Sequence, residues 1–164
     1  MNLQVIPISN ERAMAVIDII LPIQQKEFNV PVTLSDQPDL LNIEANYHQN
    51  GGCFWGAEID GELVGTIALI KFDAHAGAIR KMFVKQAFRG KELGIAQKLL
   101  NTLTGYCRDN EIWNLYLGTV PVLQAAIRFY QKNDFVNIEK QNLPAAFPLM
   151  SVDTEFFTKN IQTL

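Results

Sequence analysis

The sequence predicts an α+β fold built on a mixed sheet, and three observations carry that prediction. Two strand-like runs flank the dipeptide Asp60-Gly61, a strong hairpin signal. A strand, a glycine-containing turn and a long amphipathic run then succeed one another between residues 78 and 106. From Trp113 onward strand and helix patterns alternate again, so hairpin and crossover connections meet in one sheet with helices packed against it.

In chain order, Val5 to Ile8 reads as the first strand. Ser9 or Asn10 can cap a helix that begins with Glu11, places Met14, Ile17, Ile20 and Leu21 on one face, and stops or kinks at Pro22. Ile23 to Gln37, with Phe28 and Pro31, reads as an ordered connection to a shorter helix around Pro38 to Tyr47. Cys53 to Ile59 and Leu63 to Lys71 form the hairpin, and Ala78 to Val84 is the next strand after FDAHAG. FRG leads into a helix with Leu93, Ala96, Leu99, Leu100, Leu103 and Tyr106 at helical spacing. A strand at Trp113 to Leu117, a helix from about Val122 to Lys132, and two apolar runs, Phe135 to Glu139 and Leu149 to Phe157, complete the pattern.

With 164 residues, 48% apolar and 19% charged, the chain has material for one core of ordinary size, and a single domain over residues 1–164 is expected. A mean hydropathy of +0.04, ten Phe and seven scattered Pro exclude disorder, collagen and coiled coil. The longest mostly apolar runs, such as Leu63 to Ile70, reach only strand length, and MNLQVIPISNER has no basic region followed by an apolar block. Neither a membrane span nor a secretion signal is expected. Cys53 and Cys107 lie far apart without metal-ligand spacing, so neither a metal site nor a disulfide scaffold is expected and a reducing cytoplasm is the simplest setting.

A net charge of −3 argues against nucleic acid as the partner, yet the average conceals an asymmetry. Residues 71–98 hold Lys71, Arg80, Lys81, Lys85, Arg89, Lys91 and Lys98 against only Asp73 and Glu92. Within that stretch, Arg89-Gly90-Lys91-Glu92-Leu93-Gly94 enters a helix, and a helix N-terminus presents unpaired N–H groups that can cradle a phosphate. The spacing matches neither GxGxxG nor GxxxxGK[ST], which excludes a nucleoside-triphosphate P-loop. Arg80 or Lys81, at the edge of this stretch, could select an anionic substrate. His48 and His75 show no paired ligand or nucleophile spacing.

RGKELG at 89–94, preceded by Met82-Phe83-Val84, resembles the cofactor signature Arg/Gln-x-x-Gly-x-Gly/Ala of the GNAT superfamily of acyl-CoA-dependent N-acyltransferases. Downstream, AIRFYQKNDF at 126–135 resembles the family pattern A-x-x-[FL]-Y-x-K-x-G-F. The resemblance implies a mostly antiparallel twisted sheet of about seven strands flanked by about four helices. It implies acetyl-CoA as donor, its pantetheine arm paired with backbone near Met82, Phe83 and Val84. Its pyrophosphate would sit on Arg89, Gly90, Lys91, Glu92, Leu93, Gly94 and Ile95. Tyr130 would protonate the departing thiolate, for which a phenol of pKa about 10 is suited. Three positions depart from the pattern: Glu92 and Asp134 stand where Gly is usual, and Leu123 where many relatives have Asn.

The acceptor amine must lose a proton before it attacks, and Glu58 in the hairpin strand is the first candidate base. By position in the family, Phe28, Tyr47 and Phe147 would wall the acceptor site, with Arg80 facing it. The expected activity is N-acetylation of a small-molecule primary amine by direct attack in a ternary complex. A non-catalytic acyl-CoA sensor and an acetyltransferase of protein N-termini or lysines are the alternatives. No membrane partner is expected; a homodimer could form through Leu149 to Phe157, a strand that could equally be covered within one chain.

Overall fold

In the computed structural model, which describes residues 2–162, Asp60 and Gly61 both take positive φ, 50° and 87°. That pair of left-handed residues makes the two-residue turn that joins β2 (Cys53–Ile59) to β3 (Glu62–Asp73). β1 (Leu3–Pro7) adds to the outside of β2 and β4 (Ala76–Val84) to the outside of β3, all antiparallel. Helix α3 (Ile95–Asp109) then crosses over to β5 (Asn114–Thr119), which runs parallel to β4. After α4 (Gln124–Lys132), β6 (Val136–Asn137) becomes the edge and β7 (Glu155–Asn160) inserts between β5 and β6. The seven strands form one sheet, ordered β1-β2-β3-β4-β5-β7-β6. With α1 (Ala13–Pro22) and the single turn α2 (Ile43–Asn46) there are four α-helices among the described residues.

The centre of the sheet is covered on both faces, which is why β2 is buried from Cys53 to Ala57 and β3 from Leu63 to Leu69 without a break rather than at alternate positions. On one face Ile95, Leu99, Leu103 and Cys107 of α3 pack with Trp55, Ile67, Ile79 and Leu115. On the other, Val16, Ile17, Ile20 and Ile23 pack with Phe54, Leu63 and Ala68. Among the described residues no helix is long and apolar enough to cross a membrane.

Of four readings, three are corrected. Neither Ser9 nor Asn10 caps α1; the Asn10 amide instead donates to Asn42 Oδ1 (3.2 Å) while its Oδ1 accepts the Glu44 N–H (3.1 Å), tying the start of α1 to α2. The buried stripe of α1 runs through Val16, Ile17, Ile19 and Ile20, and Met14 is 64% exposed. The reading of Pro22 holds, since α1 ends at this residue and the chain changes its winding there. Lacking an N–H, Pro22 is followed by one wide turn, Ile23–Glu27, closed by Phe28 N–H to the Ile23 carbonyl at 3.1 Å. The last strand begins at Glu155, not Leu149: Met150 and Val152 are apolar because they wall a pocket, and β7 is paired on both sides, so it is no free docking edge.

Two features of β4 open the sheet on one side. It pairs with β5 only from Ala76 to Ala78, after which the strands part. Its register against β3 also slips between Arg80 and Phe83, where Lys81 takes φ 56° in a bulge and its carbonyl accepts the Thr66 hydroxyl at 2.7 Å.

Close approach fixes one glycine in the core and leaves another free. A Cβ on Gly52 would meet the Leu69 carbonyl oxygen at 2.0 Å, whereas one on Gly105, inside α3, would meet nothing within 4 Å. In urea titrations Gly52→Ala is expected to lose about 3 kcal/mol and Gly105→Ala to gain about 0.5–1 kcal/mol.

Candidate active site

The parting of β4 from β5 opens a cleft with three connected parts. Its mouth, about 540 Å³, lies at the start of α3. Gly94 (φ 62°) turns the chain into that helix, and its N–H closes the turn on the Gly90 carbonyl at 3.2 Å. The first bond into the helix runs from Lys98 N–H to the Gly94 carbonyl (3.0 Å), so the amides at 95–97 face outward from the helix end. Lys91, Arg89, Arg128 and Lys132 line this mouth, and among the described residues no carboxylate does. Such a set of unpaired N–H groups and cations suits an anionic pyrophosphate.

The turn residues differ in what they offer. Glu92 is exposed and outside the mouth's lining, so its carboxylate stays clear of the cations there. Leu93 packs against the core and lies in the turn rather than in α3. Arg89 folds back: its Nε donates to the Val84 carbonyl (2.8 Å) and its Nη2 to Glu27 Oε1 (2.8 Å), a contact that holds the Glu27 carboxyl below its usual range.

A narrower, apolar corridor of about 220 Å³ continues between Met82, Phe83 and Val84 on β4 and Ala126 and Phe129 on α4. Leu123, where an Asn is usual, lines it with a methyl-rich surface. The corridor ends in a pocket of about 100 Å³ lined by Phe28, Arg80, Lys81, Tyr130, Met150 and Asp153, among others. Tyr130 is 5% exposed, its hydroxyl has no hydrogen-bond partner among the described residues, and burial pushes its pKa above the ordinary value. Asp153 is half-buried, and burial pushes its carboxyl upward against the pull of Arg80 and Lys81.

Lys81 is the buried cation of this region. Its ammonium donates to Gln37 Oε1 and sits 3.8 Å from Asp39, and burial lowers its pKa to about 8. Gln37 and Gln24 exchange amide bonds (2.9 and 3.2 Å), and the Tyr47 hydroxyl donates to Asp39 at 2.5 Å; burial, and then the Asp39 carboxylate, raises the Tyr47 pKa.

Three of the residues read from the sequence lie elsewhere. Glu58 is ion-paired with Arg12 at 2.6 Å on the β1–β2 side of the sheet and lines no part of the cleft, because β2 is two strands removed from the parting. Tyr47 stands behind Asp39 rather than in the pocket wall, edge-on to Phe54. Phe147 is buried with Ala78, Phe156, Phe72 and Tyr116. Conversely, Asp153, Gln24, Arg128 and Lys132 were not singled out. Arg128 and Lys132 are legible afterwards as an i, i+4 pair on one helix face; Asp153 carries no local signal.

Comparison with known proteins agrees with this geometry. A family model described as the acetyltransferase (GNAT) family matches residues 17–135. A GNAT-family acetyltransferase of Staphylococcus aureus Mu50 superposes with a TM-score of 0.95 at 38% identity, over 98% of this chain and 100% of that one. The PaiA N-acetyltransferase of Thermoplasma acidophilum, solved with coenzyme A, shares the fold at 18% identity, with a TM-score of 0.76 over 98% and 99% of the two chains. N-acetylaspartate synthetase of Danio rerio is 35% identical over 99 residues, which are 59% of this chain and 34% of that protein. The chain spans about a third to two thirds of the length of the curated relatives it matches. With the family model covering most of its length and the cleft built on both motifs, the chain belongs to the acetyltransferase (GNAT) family.

Proposed function

We propose that this protein is a cytoplasmic N-acetyltransferase that moves the acetyl group of acetyl-CoA to the primary amine of a small molecule, residues 1–164 acting as one domain. The observation that carries the reading is the continuity of the cleft, from the outward amides of α3 through the apolar corridor to the Tyr130 hydroxyl. Acetyl-CoA supplies a thioester carbonyl and a pyrophosphate when bound. The amides at 95–97 with Lys91, Arg128 and Lys132 hold the pyrophosphate, and Met82 to Val84 align the arm.

Tyr130 serves as the acid. Its raised pKa keeps the phenol protonated throughout the neutral range, with a proton to give to the leaving thiolate. Direct transfer is supported by the state of both cysteines: burial raises Cys53 to about 11 and Cys107 to about 12, so neither is a thiolate near neutral pH, and neither lines the cleft. The small inner pocket, about 100 Å³ and walled by Phe28 and Met150, favours a small acceptor over a protein segment.

Tyr130→Phe is expected to lower kcat about 100-fold while acetyl-CoA affinity by calorimetry stays within about twofold; unchanged kcat would remove Tyr130 from the mechanism. Replacing both Arg128 and Lys132 by Ala is expected to weaken acetyl-CoA about tenfold, as two partly exposed charge contacts are worth. Equal affinity in that variant would place the pyrophosphate elsewhere.

A further inference from the structure

The inner pocket has an unusual charge inventory. Lys81 is already compensated by Gln37 and Asp39. Arg80 and Asp153, by contrast, have no ion-pair partner within 4 Å among the described residues, although both line the pocket and neither is fully exposed. They enter from opposite sides of the parting. Arg80 comes from β4, and Asp153 lies against β5, where a Cβ on Gly118 would meet its Oδ2 at 2.7 Å. Gly118 therefore makes room for the carboxylate.

Half-buried charges without partners are costly unless a ligand completes them. One cation and one anion facing the same small space are complementary to a molecule that carries one charge of each sign. Resting on the reading of the cleft as an acetyltransferase site, we infer that the acceptor is a free amino acid, its carboxylate held by Arg80 and its ammonium by Asp153. A polyamine would instead bring further positive charge to Arg80 and Lys81. The size agrees: in a pocket of about 100 Å³, where one water takes about 10–15 Å³, an acceptor of amino-acid dimensions fits.

The step balances with groups already in place. Asp153 takes a proton from the ammonium, and the freed nitrogen lone pair forms the C–N bond to the acetyl carbonyl carbon. The C–S bond breaks, and its electron pair leaves on sulfur, which takes the Tyr130 proton. The second proton lost by the new amide nitrogen returns the phenolate to phenol. Asp153 then releases the first to water.

The test presents wild-type protein and acetyl-CoA with the free L-amino acids, the same amino acids as carboxamides, and spermidine, and monitors coenzyme A release. Binding of each acceptor to protein saturated with coenzyme A is measured alongside by calorimetry. At least one free amino acid is expected to exceed its carboxamide in kcat/KM about 10–100-fold, as loss of one charged hydrogen-bond partner implies. Arg80→Gln is expected to abolish that preference and the calorimetric signal of the acid while acetyl-CoA affinity holds. Asp153→Asn is expected to lower kcat without weakening acetyl-CoA. Equal turnover of acids and carboxamides, turnover of spermidine alone, or an acid preference that survives Arg80→Gln would overturn the inference and leave the acetyltransferase reading standing. Absence of acetyl-CoA binding to the wild type would overturn that reading, and this inference with it.

Discussion

Past Ala78 the ladder between β4 and β5 is broken, and each strand exposes backbone groups that a continuous sheet would pair. Such a gap would close unless the flanking structure held it open. The bulge at Lys81 turns β4 at the point of parting, and the buried ammonium there is held by Gln37 and Asp39. Those two residues are held in turn by Gln24 and Tyr47, so the segment around α1 and α2 grips the strand from one face while Tyr130 and α4 limit it from the other. Breaking one partner of a buried polar set of this kind leaves the others uncompensated, which makes the arrangement all-or-none.

Along the opening the chemistry changes in the order that a CoA thioester would need. Cations and free amides gather where the pyrophosphate would lie, mostly apolar side chains flank the arm, and Tyr130 and Asp153 stand where the acetyl group would arrive. Separation of this kind lets the mouth bind charge through water-exposed groups while the inner end keeps Tyr130 dry and protonated. The membership of the chain in the GNAT family accords with that gradient, and the departures at Glu92 and Leu123 do not interrupt it.

What could be read from the sequence was local. Asp60-Gly61 specified its own turn, RGKELG its own helix start, and the spacing of Tyr130 in AIRFYQK its place on α4. What escaped depended on contacts distant in the chain. Glu58 has the right chemistry for a base, but strand order puts it beside Arg12. Asp153 sits in a stretch whose apolar residues imitate a strand, and only the folded sheet shows that Met150, Val152 and Asp153 face a pocket. Strict alternation likewise contains no sign of the bulge that buries Lys81 beside Gln37 and Asp39.

The most direct measurement is amide hydrogen exchange, read by mass spectrometry, with and without saturating coenzyme A. The account predicts that protection rises at residues 90–97 and at Met82 to Val84, while the hairpin around Asp60-Gly61 is unchanged. Protection confined to other segments, or no change in a sample that is folded, would contradict the claim that one cleft between β4 and β5 receives the cofactor.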